Sequence, residues 1–531
     1  VTPEELLCAA PQPVGPSSSS SEHRRLSVPR IAAALCVVAV VVGLVVVVRG
    51  GATPAGTAQQ HGFAPYVDVT ATPTYAFEDT SSAGSEDVVL GFVVSSKEKA
   101  CDPSWGGAYS MEAAAEQLDL DRRVARLDQV GGRVSVSFGG AANSELAIEC
   151  TDVTALAAAY RSVVERYSID TIDLDIEGAT ASAAPVVQRR GQAVAAVVAA
   201  ERAAGRQLDV WLTLPVSTSG LTAEGLGVLR ETLAAGVEPA GVNAMVMDYG
   251  EPIEPGMSMG DRAELALTAL QAQLREAYAA TGSPLSEDQA WQRVGATPMI
   301  GQNDVPGEVF DLDDARQLLG FARQHHLRRL SMWSANRDQD CGPNYPDVQV
   351  VSDECSGVSQ PAGGFAEILG RFGRSGRPSP DPAASPTPTK APSPDAPASA
   401  EAEETDDPAR SPYQIWTAEQ GYAAGTKVVW HRNVYVAKWY AIGQQPDTPV
   451  ADAHLTPWSL VGPVLPGEHP QAPPTLPAGT YPTWRAGRAY HGGERVLRRG
   501  VGYQAKWWTQ GDPPDASTGS PYDSPWQLLT E

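Results

Sequence analysis

Residues 170–177 read Asp-Thr-Ile-Asp-Leu-Asp-Ile-Glu, a run in which carboxylates at Asp173, Asp175 and Glu177 alternate with Ile172, Leu174 and Ile176. In an extended chain alternate side chains share a face about 7 Å apart, so this pattern predicts a strand with three acids on one side and three aliphatic residues on the other. Neighbouring carboxylates repel, and burying them together raises at least one pKa, which keeps a carboxylic acid protonated near neutral pH and fit for general acid work. A calcium loop would need turn-forming spacers and carbonyl ligands, which an Ile and Leu ladder does not supply.

Working outward, apolar strand-like segments recur at regular intervals: Arg133 to Phe138 leading into Gly139-Gly140, Leu208 to Pro215, Val242 to Tyr249, Thr297 to Gln302 and Leu330 to Trp333. Between them lie amphipathic runs at helical spacing, Ala155–Tyr167, Ala184–Ala204, Ala263–Ala280 and Leu312–His325. Strands alternating with helices over about 310 residues predict an α/β fold of (β/α)8 barrel type. A doubly wound sheet is the rival. The barrel is favoured because the candidate catalytic residues end several different strands, where such barrels build their sites.

Asp170 to Glu177 resembles the DxxDxDxE signature of the family-18 glycoside hydrolases, the chitinases and their relatives. Ser137-Phe138-Gly139-Gly140 is similar to that family's SxGG segment on the third strand, and Val242 to Tyr249 to its sixth strand. The resemblance spans residues 62–373 and implies a set of roles. Glu177 would be the acid, Asp175 would orient the substrate's acetamido group, and Asp173 would exchange a hydrogen bond with Asp175. Substrate contacts would come from Ser137, Gly139, Gly140, Met245, Met247, Asp248, Tyr249, Gln302 and Trp333, the last as a floor under the sugar at the cleavage point. The sequence departs from the family at two points: Met247 stands where many members have Tyr, and Thr171 where they have Gly. Strand alternation points Tyr249 to the opposite face, so it replaces the missing hydroxyl only if the strand bends or ends there. Neither change touches the acid. The implied activity is hydrolysis of β-1,4-N-acetylglucosamine linkages with retention, assisted by the substrate's own acetamido group. Two alternatives stay open, a catalytically inactive lectin-like binder and an endo-β-N-acetylglucosaminidase. No cofactor and no metal is expected, and His325-His326 reads as a solvated pair on a helix end.

The C-terminal region repeats itself. Trp416, Tyr422, Gly425, Val428, Tyr435, Ala437-Lys438-Trp439-Tyr440 and Trp458 recur as Trp484, Tyr490, Gly493, Val496, Tyr503, Ala505-Lys506-Trp507-Trp508 and Trp526. Units of about 50 residues bury too little surface to hide so many aromatics, so some face solvent and form a binding surface. Adjacent residues on a strand face opposite ways, so one of Trp439 and Tyr440, and one of Trp507 and Trp508, is expected outside. The repeats resemble the chitin-binding modules of carbohydrate-binding family 5/12, assigned to residues 412–462 and 481–530 as two small all-β domains. Residues 374–411 are rich in Pro, Ala and Ser and predict a tether. A second Pro-rich spacer, 463–480, is expected between the modules.

At the other end, Ile31 to Val48 is an uncharged apolar run behind Arg24, Arg25 and Arg30. It predicts a membrane-spanning helix with the 1–30 tail in the cytoplasm, or a signal peptide cut near Ala55-Gly56-Thr57-Ala58. Either way the rest of the chain is expected outside the cell, secreted or anchored, and acting as a monomer on chitin or a related N-acetylglucosamine polymer. Four cysteines of the barrel region allow three pairings, of which Cys341 with Cys355 and Cys101 with Cys150 are favoured. A net charge of -24, from 39 basic and 63 acidic residues, argues against nucleic acid as a partner.

Overall fold

The computed structural model describes residues 62–80, 85–252, 255–343, 345, 350–373, 406–450, 453–470, 475–516 and 524–529. The tail 1–30, the apolar segment 31–48 and most of the tether, 374–405, lie outside the described residues. Among the described residues no helix is long and apolar enough to cross a membrane.

The first strand is made of two pieces, β1 (Gly62–Phe63) and β2 (Tyr66–Asp68), followed by β3 (Asp87–Ser95), β4 (Arg133–Gly139), β5 (Thr171–Asp175), β6 (Asp209–Ser217), β7 (Gly241–Met245), β8 (Val294–Thr297) and β9 (Arg329–Leu330). All pair in parallel in chain order from β3 to β8, and β8 pairs with β9. The sheet closes through its split first strand, since β1 pairs with β9 while β2 pairs with β3. Closure abolishes free edges. Outside the ring run α1 (Leu120–Gln129), α2 (Val153–Tyr167), α3 (Ala184–Ala203), α4 (Ala223–Ala234), α5 (Met259–Ala280) and α6 (Leu312–His325).

Four of these six helices begin at a side-chain cap. The side chains of Asp152 and Thr222 accept from Ala155 N and Gly225 N at the starts of α2 and α4, while Ser258 with Asp261 and Asp311 with Asp314 form capping boxes on α5 and α6. These contacts satisfy N–H groups that the first helical turn leaves unpaired. The outward faces of the strands pack against the helices: Ile172, Leu174, Val210, Leu212, Leu214, Val242 and Ala244 are buried in one apolar cluster with Leu156, Val163, Val194, Leu267 and Leu270. Two disulfides pin the loops, Cys101–Cys150 after β3 and β4, and Cys341–Cys355 beyond β9, in the pairing favoured from the sequence.

The two repeats fold as separate small all-β units with matching strands. In the first, Lys427–Trp430, Asn433–Ala437 and Trp458–Pro463 form an antiparallel sheet, and in the second Arg495–Arg498, Val501–Ala505 and Trp526–Leu528 do the same. Trp416, Tyr422, Tyr435 and Trp458 make the core of one, with Tyr490, Tyr503 and Trp526 making the core of the other. The aromatic pairs depart from expectation. Trp439 and Tyr440 are 44% and 48% exposed, and Trp507 and Trp508 46% and 57%, so both members of each pair face out. The strands end at Ala437 and Ala505, and the pairs sit beyond the reach of strand alternation. The 463–480 spacer is also tied down at both ends: Glu468 binds Arg122 of the barrel, and Leu476 N donates to Gly500 O of the second module.

Candidate active site

The interior of the ring is polar at one level, and one residue from almost every strand contributes to it. Asp173 on β5 is fully buried. Its Oδ2 accepts from the Tyr66 hydroxyl at 2.8 Å and from Ser137 Oγ at 2.7 Å, and its Oδ1 from Thr213 Oγ1 at 2.7 Å. Arg329 Nη1 stands 3.5 Å from Oδ1. The network continues through Asn243, whose Nδ2 donates to Thr213 Oγ1 at 3.0 Å and to Thr297 Oγ1 at 2.7 Å. A buried carboxylate is tolerated only when its lone pairs are met in this way. Asp173 therefore spends its oxygens on Tyr66, Ser137 and Thr213, in place of the hydrogen bond with Asp175 implied by the family resemblance.

Asp175 ends β5 and is buried as well, with its Oδ1 lacking a hydrogen-bond partner. Burial first, then the charges of Glu177, Asp173 and Glu145, hold its carboxyl well above the ordinary range. Glu177 lies two residues beyond the strand end and is partly exposed. Burial and the carboxylates of Asp248 and Asp304 push it up to about 7. Behind Asp175, Glu145 is itself buried and paired with Arg190 Nε at 2.7 Å.

Gly139 and Gly140 let β4 approach this point. Both have positive φ, +109° and +84°, and a Cβ on Gly139 would stand 2.0 Å from Asp175 O, one on Gly140 2.9 Å from the Phe92 ring. Gly140 N donates to Asp175 O at 3.1 Å. Trp333 is half-buried, its ring 5.3 Å from Phe92 and 6.2 Å from Tyr66. Together these three aromatic rings line the neighbourhood of the carboxylates.

The segment after β7 differs most from a continuous strand. Pairing stops at Met245; Met247 is buried, and Asp248 takes φ +49°. Asp248 Oδ1 accepts from Val305 N at 3.0 Å, and burial raises its carboxyl against that donor. Tyr249 turns toward the helix layer. Its ring lies 4.4 Å from the Arg262 guanidinium, and its hydroxyl is enclosed without a partner. Although the strand does end, Tyr249 therefore does not stand in for the missing hydroxyl at Met247. Gln302 sits in a two-residue strand pairing with Val309–Phe310, its carbonyl accepting from Arg337 Nη2 at 2.6 Å.

Sequence reasoning missed Tyr66, Phe92, Thr213, Asn243, Asp304 and Arg329. All but Asp304, which follows the short Gly301–Gln302 strand, lie on ring strands, and although Asn243 falls within the segment similar to the family's sixth strand, none was given a role. The available signal was polar residues at alternate positions inside otherwise apolar strands, as at Thr213 and Asn243.

Comparison with known proteins supports the same reading. Residues 483–527 match the model for carbohydrate-binding module family 5/12. A probable bifunctional chitinase/lysozyme of Escherichia coli (strain K12) is 35% identical over 333 residues, which is 60% of this chain and 35% of that one. Endochitinase 11 of Metarhizium anisopliae is 35% identical over 296 residues, 54% of each chain. This chain thus spans about a third to a half of the length of those curated relatives. Among solved structures, catalytic-site mutants of active domain 2 of a thermostable chitinase from Pyrococcus furiosus, complexed with chito-oligosaccharides, align with a TM-score of 0.50 at 27% identity, over 60% of this chain and 95% of that one. With Glu177 just past the fourth strand of a closed parallel ring and a second carboxyl of raised pKa beside it, the ring region is similar to chitinases, and residues 483–527 match a family 5/12 carbohydrate-binding module.

Proposed function

We propose that the chain is a chitinase, cleaving β-1,4-N-acetylglucosamine linkages with retention of configuration. The observation that carries this reading is Glu177, a carboxyl pushed up to about 7 at the open end of β5. Such a group is protonated at mildly acidic to neutral pH and donates its proton to the glycosidic oxygen. Asp175 presents a buried oxygen with no partner among the described residues, an acceptor suited to an acetamido N–H. Asp173, saturated by three hydroxyl donors, holds β5 in place below it. In the resulting mechanism the acetamido carbonyl attacks the anomeric carbon as Glu177 protonates the leaving oxygen. Water then opens the oxazolinium ion with Glu177 acting as base. The exposed pairs Trp439-Tyr440 and Trp507-Trp508 offer flat apolar faces for sugar rings. Two disulfides favour an oxidising compartment, so the site of action is outside the cytoplasm.

The test is product analysis on defined N-acetylated chito-oligosaccharides with the anomer read at early times. The β anomer should form, and fully deacetylated substrate should resist cleavage. Glu177→Gln should keep fold and chitin binding while turnover falls at least about a hundredfold. Near-normal turnover in that variant, or an inverted product, would overturn the assignment. The intact acid separates this reading from a lectin-like binder.

A further inference from the structure

We propose that the first C-terminal module works as a fixed extension of the barrel, and not as a tethered anchor, so that Trp439 and Tyr440 meet the polymer at a set distance and orientation from Glu177. The inference rests on the chitinase reading for its functional consequence, and on geometry alone for the docking. The contact is built on α1. Arg122, 5% exposed, donates from Nη1 to Pro463 O at 2.5 Å and from Nη2 to Glu468 Oε1 at 2.5 Å, with Nη1 also 3.1 Å from Glu468 Oε2. Arg126 donates to Leu460 O. Lys427 Nζ reaches both oxygens of Asp119 at 2.7 Å.

Three details mark this face as shaped for the module. Asp119 is the N-cap residue of α1, yet it has φ +50° and makes no capping hydrogen bond. Its carboxylate is turned to Lys427, a contact that replaces the stabilisation a cap ordinarily contributes. Gly462 comes so close to the helix that a Cβ there would stand 2.6 Å from Arg122 O and 3.1 Å from Arg126 Cβ; its φ of +152° also suits glycine alone. Finally, Arg122 loses water on entering the interface, and its charge is met by a two-pronged carboxylate, the geometry in which a buried guanidinium is tolerated. None of this is carried by the second repeat. Thr530 stands at the position of Gly462, and Arg495, at the position of Lys427, is engaged with Gln504 and Tyr481 inside its own module.

At its other end the first module receives the incoming chain firmly, with Asp406 accepting from His431 N and Arg432 N at 2.8 and 2.7 Å. The tether therefore joins two parts of one docked body, and its length does not set the reach of this module.

The experiment uses the full chain and two readouts, hydrogen exchange over residues 120–129 and 458–463, and turnover per bound molecule on insoluble chitin beside turnover of soluble oligomers. Asp119→Lys should raise exchange in both segments and lower turnover per bound molecule several-fold on the insoluble polymer. The amount bound and the rate on soluble oligomers should be unchanged. Adding Lys427→Asp restores the ion pair with reversed sign and should recover both readouts. Gly462→Leu should reproduce the single variant. Exchange that is insensitive to all three variants would overturn the docking, and exchange that rises without any loss on insoluble chitin would overturn its function. Failure of the wild-type chain on soluble oligomers would instead sink the chitinase reading, while exchange would still report on the docked body.

Discussion

At the scale of single residues, the site is a graded series of carboxyl environments along one strand. Asp173 is surrounded by hydroxyl donors, Asp175 is buried with an open oxygen, and Glu177 lies at the rim beside Asp248 and Asp304. The rim charges have a kinetic consequence. In the proposed mechanism Glu177 acts in its protonated form, and with its carboxyl pushed up to about 7 kcat/KM should fall as pH rises through neutrality. Asp304 is one of the charges that raises it. Removing that charge makes the Glu177 carboxylate less unfavourable and lowers its pKa, so Asp304→Asn should move the alkaline limb of the profile to lower pH. A pH–rate series on soluble oligomers measures this; an unmoved limb, or one displaced to higher pH, would contradict the electrostatic account.

At the scale of elements, strand ends matter more than strand bodies. The SxGG segment works because β4 crosses Asp175 with no side chain between them, leaving room for the hydrogen bond from Gly140 N to Asp175 O. Gly139→Ala would drive a methyl group into that carbonyl and impose a backbone angle that alanine disfavours, at a cost of at least about 1–3 kcal/mol. The expected result is a lower unfolding midpoint together with reduced turnover, read by calorimetry and oligomer assay. A variant with wild-type stability and rate would mean the close approach is dispensable. The loops after β3 and β4 are joined by Cys101–Cys150, 49 residues apart in sequence, and the segment after β9 is closed by Cys341–Cys355, 14 apart. On a chain-entropy view the two links contribute about 4 and about 3 kcal/mol. Thermal melts with and without reductant should differ by several degrees, and superimposable melts would show that the links add nothing to stability.

At the scale of the whole molecule, one chain carries the carboxylate site and two exposed aromatic pairs. Tyr440 lies over Gly421, where a Cβ would meet its hydroxyl at 2.3 Å, and Lys438 and Lys506 stack on Trp439 and Trp507 at 4.9 and 4.7 Å. Tyr440, Trp439 and Trp507 are thus each in contact with their own module while remaining exposed. Replacing Trp439 and Trp507 by Ala together should weaken adsorption to insoluble chitin by an order of magnitude or more, with each stacking contact worth on the order of 1 kcal/mol and the two sites acting multivalently. Soluble oligomers should be cleaved at the wild-type rate. Adsorption isotherms that coincide with wild type would remove these residues from the binding surface.

Local chemistry settled much of this protein before any tertiary contact. Period-two alternation in 171–176, the helical spacing of the amphipathic runs, and the repeated Ala-Lys-Trp segments are all written over a few neighbours, so the β/α alternation, the row of carboxylates ending at Glu177 and the two small β units could be read from the sequence. What required the folded chain depends on residues far apart in sequence. The donors to Asp173 come from Tyr66, Ser137 and Thr213, separated from it by 107, 36 and 40 positions, and no local pattern brings them together. Tyr249 was ambiguous because its direction depends on where pairing stops, which the neighbouring strand decides. Both members of each exposed aromatic pair face out for the same reason: the strand has ended, and alternation no longer governs them. The contact of the first module with α1 was out of reach altogether, since Asp119 and Gly462 belong to no motif and each meets a surface more than 300 residues away in sequence.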